Sequence, residues 1–491
     1  MVLSIFEKID ISLLIIFVIF IGVYLYKNRK RIEKEGILYL YKTEWGLNLI
    51  KKTGEKYKKT LYFLSYISII IGYFLMISIV YFFIKIVIEY ITKPEIVQTI
   101  KAPPIAPVIP YFPKLFGLSG MFPNFYGIYF VISIAIVAIV HEFSHGIFAQ
   151  RYGIRIKTTG FAFLRFFPAI FGAFVEQDEK QMSKKGKFEQ MSVLSAGVFA
   201  NIITMFLFII LLLVFFSVAF TPSGAVFYDY SFSKVYANDI TLINNHSFNN
   251  PSYEEVNNFL NKTENINIIS SGKKDYIGLR GFGIDENGKY FYLYEDAPAI
   301  NSKLKGGIFN SNERARIIKI NSQEIKDSND FSNELSKYLP EDNINITIQT
   351  IQGYENYEIT LSKNPLNESK SYLGVVSLKN ENYILSEISH YFSALNPSKL
   401  YTKNGTFYEP KFQGLSEFIY YLIWWIIILN FSVALINMLP VGIFDGGRFF
   451  YLTILGITKS KKTAEKAFKF ITGSFLFLLV VLMIFWVIGI F

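Results

Sequence analysis

The sequence predicts a polytopic α-helical membrane protein of about six transmembrane helices, with a membrane-associated β segment and an extramembrane α+β domain. Three observations predict this class. Of 491 residues, 52% are hydrophobic and 18% charged. Soluble domains carry about 25% charged residues, so the apolar surplus exceeds what one aqueous core hides. Six apolar runs, near 11–26, 61–92, 127–150, 191–220, 414–439 and 468–491, are long enough to cross a hydrocarbon layer about 30 Å thick. Between the fourth and fifth lies a polar stretch of roughly 190 residues, the size of a domain.

Taken in order, the first run is followed by Lys27, Arg29, Lys30 and Arg31 with no small-residue cleavage site, and reads as a retained anchor. The second exceeds one perpendicular crossing and must tilt. Segment 27–60 carries eleven Lys or Arg and segment 93–126 three, which places the first in the cytoplasm and the second outside. Counting onward, 151–190 is inside, 221–413 outside, and the turn with Lys459, Lys461, Lys462 and Lys466 inside. Five Asn-x-Ser/Thr acceptors, at Asn245, Asn261, Asn345, Asn367 and Asn404, fall in the predicted external segment. The net charge of +10 clusters beside apolar runs, which suits membrane lipids as partners and not nucleic acid. Absence of cysteine excludes disulfides and thiolate metal sites. The expected division is a two-span region 1–126, a membrane core 127–220, an extracytoplasmic region 221–413, and the second half of the core 414–491.

The chemistry concentrates at His141-Glu142-Phe143-Ser144-His145. Chance gives about 0.003 such patterns in a chain with 4 His and 39 acidic residues. Residues four apart share a helix face, so both imidazoles can hold one Zn²⁺ with Glu142 beside the open position to take a proton from water. His141 lies about 21 Å into the third span, where ionisable groups are functional candidates by default. The bland alternative is a polar cluster joining helices. His246 and His390 read as surface or packing residues. Catalytic zinc takes three protein ligands, and two carboxylates offer the third. Glu176 lies 31 residues downstream of His145. Asp445 follows a helix break at Asn437-Met438-Leu439-Pro440 that reaches the depth of the histidines. Broken backbone at that depth is tolerated only where it lines protein or a wet cavity, which favours Asp445.

The pairing of His141-Glu142-x-x-His145 with Asn437-x-Leu-Pro and Phe444-Asp445-Gly446-Gly447-Arg448 resembles the site-2 protease family of intramembrane zinc metalloproteases. Gly172-Ala173-Phe174-Val175 is similar to that family's membrane-associated strand, and Ser195-Ala196-Gly197-Val198-Phe199-Ala200-Asn201 to its small-residue helix start. The resemblance implies one zinc ion per chain on His141, His145 and Asp445, with Glu142 as catalytic base. Val198 stands where the family often has proline, as does Gly442-Ile443 before the Asp-Gly motif. The two N-terminal spans lie outside the shared core. Ala297-Pro298-Ala299, Ile317 to Asn321 and Ser371 to Val375 resemble a PDZ module, and Asp239 to Asn245 a second.

The function implied is cleavage of the transmembrane segments of membrane proteins after their outer part has been trimmed. The rival class is an inactive membrane adaptor that binds helices without cutting them. Asn437 and Asn201 are candidates for holding substrate backbone or the oxyanion, and equally for capping broken helices. A helical substrate must unwind before attack, so 154–176, with Gly172, Ala173 and Phe174, is expected to offer an edge strand. Its alternative is an interfacial loop anchored by Phe161, Phe163, Phe166 and Phe167. The external domain is expected to screen substrates, or else to serve as a scaffold.

Overall fold

The computed structural model describes residues 5–92, 108–119, 122–166, 171–262, 268–272, 274–285, 288–306, 314–376 and 400–490. Phe167 and His390 lie outside the described residues. The chain divides into two compact units, Met1–Ser217 with Gly414–Phe491, and Val218–Gln413.

Among the described residues, six helices are long and apolar enough to cross a membrane, spanning 6–27, 58–92, 127–151, 187–219, 415–437 and 461–487. The first unit is built from α1 (Ile5–Lys27), α2 (Leu47–Lys56), α3 (Lys58–Thr92), α4 (Gly127–Arg151), α5 (Glu179–Ser183), α6 (Lys187–Ala219), α7 (Leu415–Asn437), α8 (Asp445–Thr458) and α9 (Lys461–Ile490). Leu75 and Met76 of α3, Phe148 of α4, Leu194 and Val198 of α6, Ala434 of α7 and Phe449 of α8 share one hydrophobic core. Helix α3 therefore belongs to the interior that holds the His-Glu-x-x-His helix, a role its sequence did not disclose. Small residues let it approach: Gly72 faces Ser195, and the Ser195 and Ser68 hydroxyls are 3.0 Å apart.

Helix α1 carries a carboxylate into the interior. Asp10 is 3% exposed, and its oxygens accept from the backbone N–H groups of Gly127 (2.7 Å) and Ile128 (3.1 Å) and from the Tyr111 hydroxyl. Two of the orphan donors at the start of α4 are thereby satisfied by a negative charge at the favourable end of the helix dipole.

Segment 27–60 is more than a charged loop. It forms β1 (Ile32–Glu35) and β2 (Leu38–Thr43), which join β3 (Ile156–Leu164) and β4 (Phe171–Gln177) in an antiparallel sheet of order β1-β2-β3-β4. Tyr41 lies opposite Phe161, and Phe161 opposite Ala173. Trp45, just after β2, packs edge-on against Phe143 at 5.3 Å, and buried Ile50 of α2 lies against Gly146. The N-terminal region thus braces the helix that carries the histidines.

Among its described residues, the second unit shows two cores. A seven-stranded sheet runs Gly353–Thr360, Asn343–Thr350, Arg316–Ile320, Phe220–Ala225, Thr406–Pro410 and Thr402–Lys403, with Gln323–Glu324 beside Arg316–Ile320. Ile344, Ile346 and Ile348 alternate inward, as a strand with one buried face requires. Residues 232–295 supply a six-stranded sheet with its own core of Ile240, Ile243, Val256, Ile269, Phe291 and Leu293. His246 stacks on Phe259 at 4.8 Å, a packing contact.

Candidate metal centre

Helix α4 puts His141 and His145 on one face, with their Nε2 atoms 3.0 Å apart. The link between α7 and α8 brings Asp445 to them, its Oδ2 lying 3.3 Å from Nε2 of His141 and 3.2 Å from Nε2 of His145. That link is a series of tight turns from Met438 to Phe444 closed by local backbone hydrogen bonds. Gly446 and Gly447 make it possible, since a Cβ on either would fall 2.4 Å from the backbone of Met438 or Val441. Both histidines are buried and Asp445 is partly exposed.

Helix α6 closes the back of the group. Nδ1 of His145 is 2.7 Å from the Val193 carbonyl oxygen, which can only accept, so this nitrogen carries a proton, and in the neutral ring Nε2 presents a lone pair. Gly197 lies directly behind the rings: a Cβ there would sit 2.4 Å from Nε2 of His145 and 2.6 Å from Cε1 of His141. Two imidazole nitrogens and one carboxylate oxygen, all within 4.8 Å of one another, match the donor set and count of a hydrolytic zinc site.

The group opens into a cavity of about 570 Å³ lined by Val137, Glu142, Glu179, Asn437, Asp445 and Arg448 among others. Glu142 accepts a hydrogen bond from the Val175 N–H at 3.1 Å, which ties it to β4. Arg448 spans the wall of the cavity, bonding Glu179 at 2.8 Å and Gln190 at 3.3 Å.

Of the residues singled out in the sequence, the structure gathers His141, Glu142, His145, Asp445 and Asn437 around this cavity. Asn201 stands behind His141 and is absent from the lining. Gly172, Ala173 and Phe174 lie on β4, also away from the lining. Glu176, the rival third ligand, pairs with Lys42 (3.2 Å) and Lys157 (3.3 Å) and accepts from Thr158. Burial pushes its carboxyl up, but Lys42, Thr158 and Lys157 together outweigh burial and hold it below its usual range. Sequence reasoning missed the Val193 carbonyl, the Val175 N–H and the Arg448 bridge. A backbone contact leaves no residue signature, and Arg448 was visible only as the end of a motif.

Fold and site together define a multi-pass membrane protein whose buried histidine pair and carboxylate can hold a metal ion. The sequence model of Peptidase family M50 matches residues 129–482, and the chain belongs to that family, whose members are zinc metalloproteases. The chain is also 31% identical over 198 residues to the uncharacterized protein MJ0971 of Methanocaldococcus jannaschii. That match covers 39% of this chain and 48% of the relative, so the chain spans about half the relative's length.

Proposed function

We propose that the chain is a membrane-embedded zinc endopeptidase that cleaves transmembrane segments of membrane proteins. The carrying observation is the convergence of Asp445 Oδ2 on the two histidine Nε2 atoms, 304 and 300 residues away in the sequence. His141, His145 and Asp445 would hold the ion. When bound, zinc supplies Lewis-acid polarisation of the scissile carbonyl and acidifies water at the site. Glu142 takes the proton of the attacking water and later hands it to the leaving amine. Its Oε2 is steadied by Val175, which leaves Oε1 for that exchange. Asn437, in the cavity wall, is the side chain placed to hold the substrate carbonyl.

An extended substrate is delivered by β4. This strand pairs with β3 alone among the described residues. Since Val175 turns its N–H away from β3 towards Glu142, alternation of backbone groups turns those of Phe171 and Ala173 the same way. A substrate strand adding there reaches the base at the end where Val175 is already engaged. The orientation follows the Lys and Arg asymmetry, with the site near the cytoplasmic face and 221–413 outside, where a PDZ-like region screens substrates.

The test uses the full chain in nanodiscs with a model transmembrane peptide. Wild type should bind one zinc and cut the peptide. Glu142→Gln should keep the zinc and lose about 10²–10⁴ in turnover. Unchanged cleavage by Glu142→Gln would remove the base assignment, and zinc-loaded wild type that binds the peptide without cutting it would make the chain an adaptor.

A further inference from the structure

The proposed chemistry leaves one polar side chain beside the centre without a task. Asn201 is wholly buried, its Nδ2 lies 3.2 Å from Nδ1 of His141, and its Oδ1 has no hydrogen-bond partner. An orphaned amide oxygen in an apolar interior is costly and asks for an explanation.

A neutral imidazole carries one proton. For Nε2 of His141 to offer its lone pair to a cation beside His145 and Asp445, that proton must sit on Nδ1. The His145 ring already meets this condition, because Nδ1 faces the Val193 carbonyl. At His141 the corresponding place is held by Asn201. Val193, Gly197 and Asn201 follow one another at four-residue spacing along α6 and so share a face. That face carries, in order, an acceptor for one ring, a gap for both rings, and a side-chain amide for the other ring.

We propose that Asn201 is a positioning residue that holds His141 in the Nδ1–H tautomer by accepting that proton on its side-chain oxygen, with the amide turned half a revolution from the orientation described above. The turn exchanges two ends of nearly equal size and gives Oδ1 a donor. It also moves Asn201 out of the substrate-binding role expected for it, consistent with its absence from the cavity wall. The inference rests on the reading of His141, His145 and Asp445 as the metal ligands. Supporting groups of this kind typically tune metal affinity ten- to a hundredfold.

The experiment measures zinc affinity by chelator competition on the full chain in nanodiscs, for wild type, Asn201→Leu, Asn201→Asp and Asp445→Ala. Asn201→Leu removes the acceptor and should weaken zinc about ten- to a hundredfold. Asn201→Asp keeps an acceptor and should return affinity to the wild-type range, a rescue that simple repacking would not give. If Asn201→Leu does not fold, Asn201→Ala is read in its place. Loss of zinc in Asp445→Ala with wild-type affinity in Asn201→Leu would overturn this inference alone. So would Asn201→Asp binding as weakly as Asn201→Leu. A wild-type chain that takes up no zinc would overturn the metal-site reading and this inference with it.

Discussion

The two units solve the packing problem with different residues. In Val218–Gln413 the interior is branched and apolar, with Ile317, Ile320, Ile344, Ile346 and Ile348 at most 2% exposed. Ion pairs such as Arg280 with Asp229 at 2.6 Å join side chains that are not members of those apolar cores. The membrane unit instead buries Ser65, Ser68, Ser133, Ser195, Asn201 and Asn430, and brings helices together over Gly72, Gly197 and Gly446. In water, burying hydrocarbon drives association. In lipid the tails are as apolar as leucine, so close approach and hydrogen bonds must do it. The second unit also buries polar side chains, Arg316 and Asp229 among them, but pairs them as ions with Glu409 and Arg280, whereas those of the first are mostly small and uncharged and lie where helices meet.

The largest effect that sharpens this contrast is at Gly197. Gly197→Val would push both rings off their meeting point, and zinc affinity should fall at least about a hundredfold. Chelator competition measures it, and retained affinity would mean the rings can shift without cost. Next comes Ile346→Ala, which empties part of the isoleucine core and should destabilise the second unit by about 2–5 kcal/mol. Proteolysis protection of that unit, read beside zinc content, should separate: protection falls and zinc stays. The smallest effect is at Asp10. Asp10→Asn weakens the charged cap on α4, and should cost about 1–3 kcal/mol in thermal stability of the membrane unit. A thermal midpoint identical to wild type would show that the cap is dispensable.

The helices were legible because their apolar runs are long: the third was expected over 127–150 and is found over Gly127–Arg151. The ligand pair was legible because spacing within one helix fixes geometry. Asp445 could be reached only through depth, by counting turns along a span. What stayed hidden is non-local. Strand β2 is six residues long and pairs with β3 more than a hundred positions away, so its lysine-rich surroundings dominated the reading. Asp10 falls one residue before the first apolar run, and nothing near it announces that its partner is the start of α4. Glu176 looked eligible by spacing because spacing cannot show that Lys42 has already claimed it.

The pairing of β2 with β3 bears on how little of this protein can stand alone. Residues 129–482 hold the proposed ligands and the proposed base, yet a polypeptide trimmed to them loses the hairpin that covers β3 from Thr159 to Leu164. Its sheet would then end on the nine-residue β3 in place of the four-residue β1, a longer open edge and so a better template for unwanted self-assembly. The leading segment thus shields, within the same polypeptide, a sheet edge that the family-matched stretch would leave bare.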